Sequence, residues 1–159
     1  MVLQVLPAQE ADMYRSAVIE REAYKPLETN QILFPGPFPP DVLEHRANEL
    51  KAQSKEPNTF CYKNPASNNI SLTFFGKDMH LLHTDPNYQG RGAGGILTLR
   101  AVEEAAKRGL PAYLESSEAA HQLYLKQGFK DLEELATDFS KWGLETPHRV
   151  WAMIHEHGA

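Results

Sequence analysis

Gln89-Gly90-Arg91-Gly92-Ala93-Gly94-Gly95 lies between a short apolar run that stops at Asp85-Pro86 and a long stretch of helical pattern. Four glycines within six positions exceed what a tight turn requires. Glycines there let the backbone approach a ligand and aim several free N–H groups in one direction. The following helix adds the partial positive charge of its N-terminus, so the segment suits a phosphate or pyrophosphate. Gly90, Gly92 and Gly95 also satisfy the dinucleotide fingerprint, with Glu115 twenty residues after Gly95 as the acidic partner. Two features weaken that reading. Asp85 to Gln89 separate the strand from the first glycine, and the strand lies past the middle of the chain. No Lys-Ser or Lys-Thr follows, which excludes a Walker A loop.

Outward from the loop, Met79 to Thr84 reads as a strand. The glycines open a helix with Ile96, Leu99, Val102 and Ala106 on one face, ended by Gly109. Upstream, Val2 to Leu6 reads as a strand and Ala8 to Tyr24 as a helix closed by Pro26. Prolines 35, 37, 39 and 40 forbid helix, so Ile32 to Phe38 is expected as an ordered loop that packs its aromatics. Asp41 is the expected N-cap of a helix to about Gln53. Thr59 to Tyr62 and Ile70 to Phe75 read as short strands around the turn Asn64 to Asn69. Downstream come a strand at Ala112 to Leu114, a helix at Glu118 to Gln127, a strand opened by Phe129 and a last strand at Arg149 to His155. The order is that of a mixed α/β domain around one sheet, covering residues 1–159.

The constellation resembles the GCN5-related N-acetyltransferase (GNAT) superfamily. Its central motif, Gln/Arg-x-x-Gly-x-Gly/Ala, is matched by Gln89-Gly-Arg-Gly92-Ala-Gly94, after a strand that ends in a proline, Leu81-Leu-His-Thr-Asp-Pro86. A second family signature, a small residue, then a tyrosine, then Gly-Phe, is matched by Ala120, Tyr124 and Gly128-Phe129. Ile32 to Pro40 and Leu110 to Ser117 are similar to an uncharacterised fungal branch of the family. The resemblance implies a mixed, mostly antiparallel central sheet flanked by helices and splayed at its central strand. The segment between Thr59 and Met79 is shorter than the family leads one to expect, so a strand there is expected to be shrunken or lost. An exposed sheet edge beside it is one place where a second subunit could pair.

The resemblance further implies acetyl transfer from acetyl-CoA to a primary amine of a small molecule or peptide, within a ternary complex. On that reading Gln89, Gly90, Arg91, Gly92, Ala93, Gly94 and Gly95 grip the pyrophosphate, and the backbone of Leu82, His83 and Thr84 pairs with the pantetheine arm. A backbone N–H near Leu82 or His83 would face the thioester oxygen, a role worth about 3 kcal/mol. Arg91 either adds charge to the site or is a solvated surface residue. Tyr124 is implied as the general acid that protonates the departing thiolate, and its hydroxyl suits this because tyrosine keeps its proton at neutral pH. The base that receives the amine's proton stays open among Glu115, His83, Glu20 and Glu22. Two other readings remain: a non-catalytic acyl-CoA binder or sensor of the same fold, and the weaker dinucleotide enzyme.

Composition bounds the rest. The chain has 159 residues, 42% hydrophobic and 23% charged, with 16 basic against 21 acidic residues for a net charge of -5. That balance offers no long-range attraction to nucleic acid or anionic lipid and favours a cationic acceptor such as a polyamine, an amino sugar or a lysine side chain. The single cysteine, Cys61, excludes an internal disulfide. His155-Glu-His157 lacks a third ligand at metal spacing, so no metal is expected. The start carries no secretory pattern, and no apolar run reaches a membrane-spanning length of roughly 18 residues. A cytoplasmic location is the expectation.

Overall fold

The computed structural model describes residues 3–65, 70–75 and 78–156. Seven strands form one sheet in the order β1-β2-β3-β4-β5-β7-β6. They are β1 (Leu6–Pro7), β2 (Thr59–Asn64), β3 (Ile70–Phe75), β4 (Asp78–His83), β5 (Ala112–Ser117), β6 (Lys130–Thr137) and β7 (His148–His155). The helices are α1 (Met13–Tyr24), α2 (Glu28–Leu33), α3 (Val42–Ser54), α4 (Ala93–Ala106) and α5 (Glu118–Lys126). Every neighbouring pair is antiparallel except β4 and β5. That parallel pair holds only at Asp78–Tyr113 and Met79–Leu114, after which the strands part and leave a gap in the sheet. The expected mixed sheet, flanked by helices and splayed at its central strand, is what the chain forms.

Strand alternation sorts the core into two layers. Met13, Ala17, Ala47 and Leu50 join α1 to α3 on one face, where Cys61 and Leu81 meet them. On the other face α4 and α5 cover Tyr62, Met79, Leu114, Trp151 and Met153, and Leu82 packs against this layer. Burying one large side chain of this kind contributes roughly 1.5–3 kcal/mol. The face of α4 differs from expectation. Ala93, Leu97, Ala101 and Ala105, each four residues apart, are buried, while Leu99 is exposed. Small side chains let this helix lie close on the sheet, and a reading weighted by Ile96, Leu99 and Val102 selects the neighbouring face. Gly109 does end the helix, with Leu110 N–H donating to Ala105 O and Gly109 N–H to Ala106 O.

Other expectations are corrected. The region from Thr59 to Met79 loses no strand, because β2 and β3 pair over six residues each. On its outer side β2 is paired by β1 only at Tyr62 and Lys63. Residues 66–69 of the expected turn lie outside the described residues, as does His157. Asp41 precedes α3, but its carboxylate reaches His45 at 3.3 Å and not a backbone N–H. The segment from Ile32 to Phe38 buries neither aromatic: Phe34 is 59% exposed, Phe38 is 47% exposed beneath the Arg21 guanidinium, and Ile32 and Leu33 close the unexpected α2. Among the described residues no helix is long and apolar enough to cross a membrane.

Candidate active site

Where β4 and β5 separate, a cleft of about 930 Å³ opens. Its walls include Leu82, His83 and Thr84 of β4, every residue from Gln89 to Gly95, and Tyr124 of α5. Two motifs separated by about thirty residues of sequence are thus brought into one concavity, of the size typical for ligand sites.

The loop is held from beneath by Asp85, whose buried carboxylate accepts from Asn87 N–H at 2.9 Å and pairs with Arg15 of α1. This Asx turn reverses the chain after β4 and aims the glycines at the gap. Gly92 is the N-cap of α4 at φ 84°, a left-handed conformation that glycine adopts without a Cβ penalty, and no side chain caps the helix. The first N–H groups of α4 therefore keep no intrahelical acceptor and face the cleft region as donors. A Cβ added at Gly90 would meet nothing within 4 Å, so the loop's outer surface is open. These features fit a pyrophosphate. Arg91 folds back over its own loop, donating to Asn87 O at 3.2 Å with its guanidinium 4.9 Å from the Tyr88 ring centre. The Gln89 amide reaches Thr84 O at 3.4 Å.

Tyr124 is buried at 5% exposure and packs edge-on against Phe129, ring centres 5.8 Å apart. Gly128, at φ 88°, turns the chain so that Phe129 N–H donates back to Tyr124 O, which fixes that packing. Burial pushes the Tyr124 hydroxyl well above tyrosine's usual value of 10, and a charge on nearby Tyr24 would push it further. Tyr24, at the end of α1, lines the same cleft. Its own hydroxyl is also raised, by burial first and by the Glu20 carboxylate second, against an opposing influence of Arg46.

The candidate bases fare differently. Glu115 is exposed on β5 and does not line the cleft, because the strand's alternation turns it away from the face that buries Leu114 and Ser116. Glu20 is held by Arg46 through two contacts of 2.9 Å, and Glu22 is exposed on α1; neither lines the cleft. His83 does line it, but the ring is 3% exposed, with Nε2 3.0 Å from Ser16 Oγ. Burial, then the charge of Arg46, lowers its pKa to about 3, which leaves a neutral and weakly basic imidazole.

Residues 43–129, more than half of the chain, match the Acetyltransferase (GNAT) family. The chain belongs to that family. Among curated proteins this GNAT chain is 39% identical over 57 residues to the mycothiol acetyltransferase of Thermobifida fusca (strain YX), a match that spans 33% of the chain and only 18% of that relative. Its fold is similar to that of a Corynebacterium glutamicum protein described as histone acetyltransferase HPA2 and related acetyltransferase, with TM-score 0.71 and 19% identity over 100% of this chain and 98% of the other. It is also similar to the ribosomal-protein-alanine N-acetyltransferase of Brucella melitensis, with TM-score 0.72 and 18% identity over 97% and 99% of the two chains. Those identities speak for a shared fold. The resemblance to a fungal branch is not upheld, since these relatives are bacterial.

Sequence reasoning missed Tyr24, Glu28, Glu118 and His148, which also line the cleft of the GNAT chain. The signal for Tyr24 was its place two residues before the helix-closing Pro26. The other three belong to no motif.

Proposed function

We propose that this chain is an acetyl-CoA-dependent N-acetyltransferase acting on a primary amine of a small molecule or peptide, by direct attack in a ternary complex. The observation that carries the proposal is the meeting of three features in one cleft: the uncapped N-terminus of α4 behind its glycine loop, the unpaired edge of β4, and the buried Tyr124. Acetyl-CoA supplies an acetyl group activated as a thioester. The loop N–H groups from Gln89 to Gly95 bind the pyrophosphate. The open edge of β4 at Leu82, His83 and Thr84 offers the backbone donors and acceptors that an extended chain bearing two amides requires. The Tyr124 hydroxyl holds its proton throughout the working pH range and passes it to the thiol sulfur as the C–S bond breaks.

Glu115, Glu20 and Glu22 lie outside the cleft and His83 is weakly basic; on this reading water, rather than the cleft-lining Glu28, Glu118 or His148, accepts the amine's proton. The ascending limb of kcat/KM against pH should then follow the acceptor's own pKa and move when the amine is changed; a limb fixed near one pH for all amines would instead demand a protein base. The test of the function is calorimetric titration with acetyl-CoA, with NAD as control, followed by thiol release on adding amines. Micromolar binding of acetyl-CoA alone is expected. Binding of NAD alone, or of neither, overturns the proposal.

A further inference from the structure

Helix α5 sends more than Tyr124 to the cleft. Leu123 and Lys126, one turn apart, also line it. This side of α5 lies against the start of α4. A Cβ placed on Gly94 would stand 3.4 Å from Leu123, and one on Gly95 would stand 3.2 Å from the Gln127 amide nitrogen. Residues three and four apart on a helix share a face. Lys126 therefore borders the phosphate-binding end of the cleft, beside the uncapped first turn of α4.

Positive charge is scarce there. Arg91 and Lys126 are the arginine and the lysine of the cleft lining, and Arg91 is turned back onto Asn87 O and the Tyr88 ring. Lys107 and Lys130 are paired with Glu104 and Glu156. Among the described residues Lys126 has no hydrogen bond or ion pair. The chain carries a net charge of -5, so its long-range field opposes a polyanion, and binding one calls for a local cation. In the last turn of α5 the Lys126 ammonium also suits the helix dipole, an effect on stability that is separable from binding by measurement.

Coenzyme A has one phosphate more than the glycine loop serves. The N–H groups of the loop and of α4 are spent on the pyrophosphate, and backbone dipoles carry no net charge. The ribose 3′-phosphate is a monoester with a charge of its own. A lysine meets such a group as a point charge on a flexible stem. We infer that the Lys126 ammonium takes the ribose 3′-phosphate and is thereby the residue with which the cleft distinguishes free coenzyme A from carriers that lack this group. Dephospho-coenzyme A and the phosphopantetheine of a carrier protein are such carriers. The inference rests on the acetyltransferase reading above.

Calorimetric titration of the full chain with coenzyme A and with dephospho-coenzyme A tests this without turnover. The wild type should bind coenzyme A about fivefold more tightly at low salt, the upper end for a solvent-exposed ion pair. That preference should fade as sodium chloride is raised. Lys126→Met should bring the two Kd values together by weakening coenzyme A alone. Lys126→Arg should keep the preference, and Lys130→Met should leave both Kd values unchanged. Equal affinities in the wild type, a preference that survives Lys126→Met, or an equal loss for both ligands overturns the inference; the last would put the ammonium on the pyrophosphate. Binding of neither ligand sinks the acetyltransferase reading and this inference with it, whereas binding of both without preference removes only the 3′-phosphate contact.

Discussion

Tyr124 makes its packing contacts with a ring that phenylalanine also possesses, since the edge-on stack on Phe129 needs no hydroxyl. Tyr124→Phe should therefore fold with a stability change within about 1 kcal/mol and leave the acetyl-CoA Kd near the wild-type value. The turnover rate should fall by about 100-fold, the lower end of what a positioned general acid supplies. Rate and affinity falling together would show the hydroxyl to be a binding group, and an unchanged rate would remove Tyr124 as the general acid. His83 gives a prediction about stability. Its pKa is lowered to about 3 by burial first and by Arg46 second, whereas an unfolded chain titrates it near 6.5. Between those values the unfolded chain holds more protons, so stability drops as pH falls from 6.5 towards 3, and this group costs nothing above 6.5. His83→Gln should narrow the difference in urea-unfolding free energy between pH 7 and pH 5 by about 2 kcal/mol; an unchanged difference would mean the ring accepts a proton in place.

Among the elements, the glycine loop and α4 carry opposite demands within three residues. Gly92 sits at φ 84°, where an alanine is strained even though its Cβ would find only Leu3 at 3.5 Å. Gly94 lies inside α4, and its added Cβ would meet Leu123 at 3.4 Å and Leu82 at 3.8 Å, both flexible side-chain ends at ordinary contact. Gly92→Ala should lower stability by about 1 kcal/mol and weaken acetyl-CoA binding by re-aiming the loop. Gly94→Ala should raise stability by up to about 1 kcal/mol through helix propensity. Chemical denaturation of the two variants separates these signs. The loop and its flanking elements were legible because glycines, Asp85-Pro86 and Gly128-Phe129 act through local backbone rules. The buried face of α4 was not, because alanine at 93, 101 and 105 is chosen by the closeness of the sheet, which no local pattern records. Helix α2 was hidden by the prolines that follow it: they forbid helix from residue 35 onward and say nothing of Glu28 to Leu33.

For the whole molecule, the two sheet edges are unequal. β1 has two residues, too few to recruit a partner, while β6 has eight, all exposed, including Leu132 and Leu135. Along that edge Asp131 meets His121 at 2.8 Å and Glu134 meets Arg149 at 3.5 Å, and Glu133 adds a further carboxylate; charged side chains are the usual guard against pairing with another chain. Glu133→Val should increase concentration-dependent association in sedimentation experiments at neutral pH; unchanged sedimentation would show that the strand's shape and not its charge protects it. The inner gap of the sheet has a different consequence. A parallel ladder of two residue pairs leaves the stretch of β4 beyond Met79 without a strand on that side, and alternate amides of a strand point to each neighbour. Deuterium should enter those amides of the free protein quickly, although they sit mid-sheet where protons ordinarily exchange last. Any molecule that occupies the gap as an eighth strand will slow them, so the protein reports its own occupancy by isotope uptake, before a single acceptor has been identified.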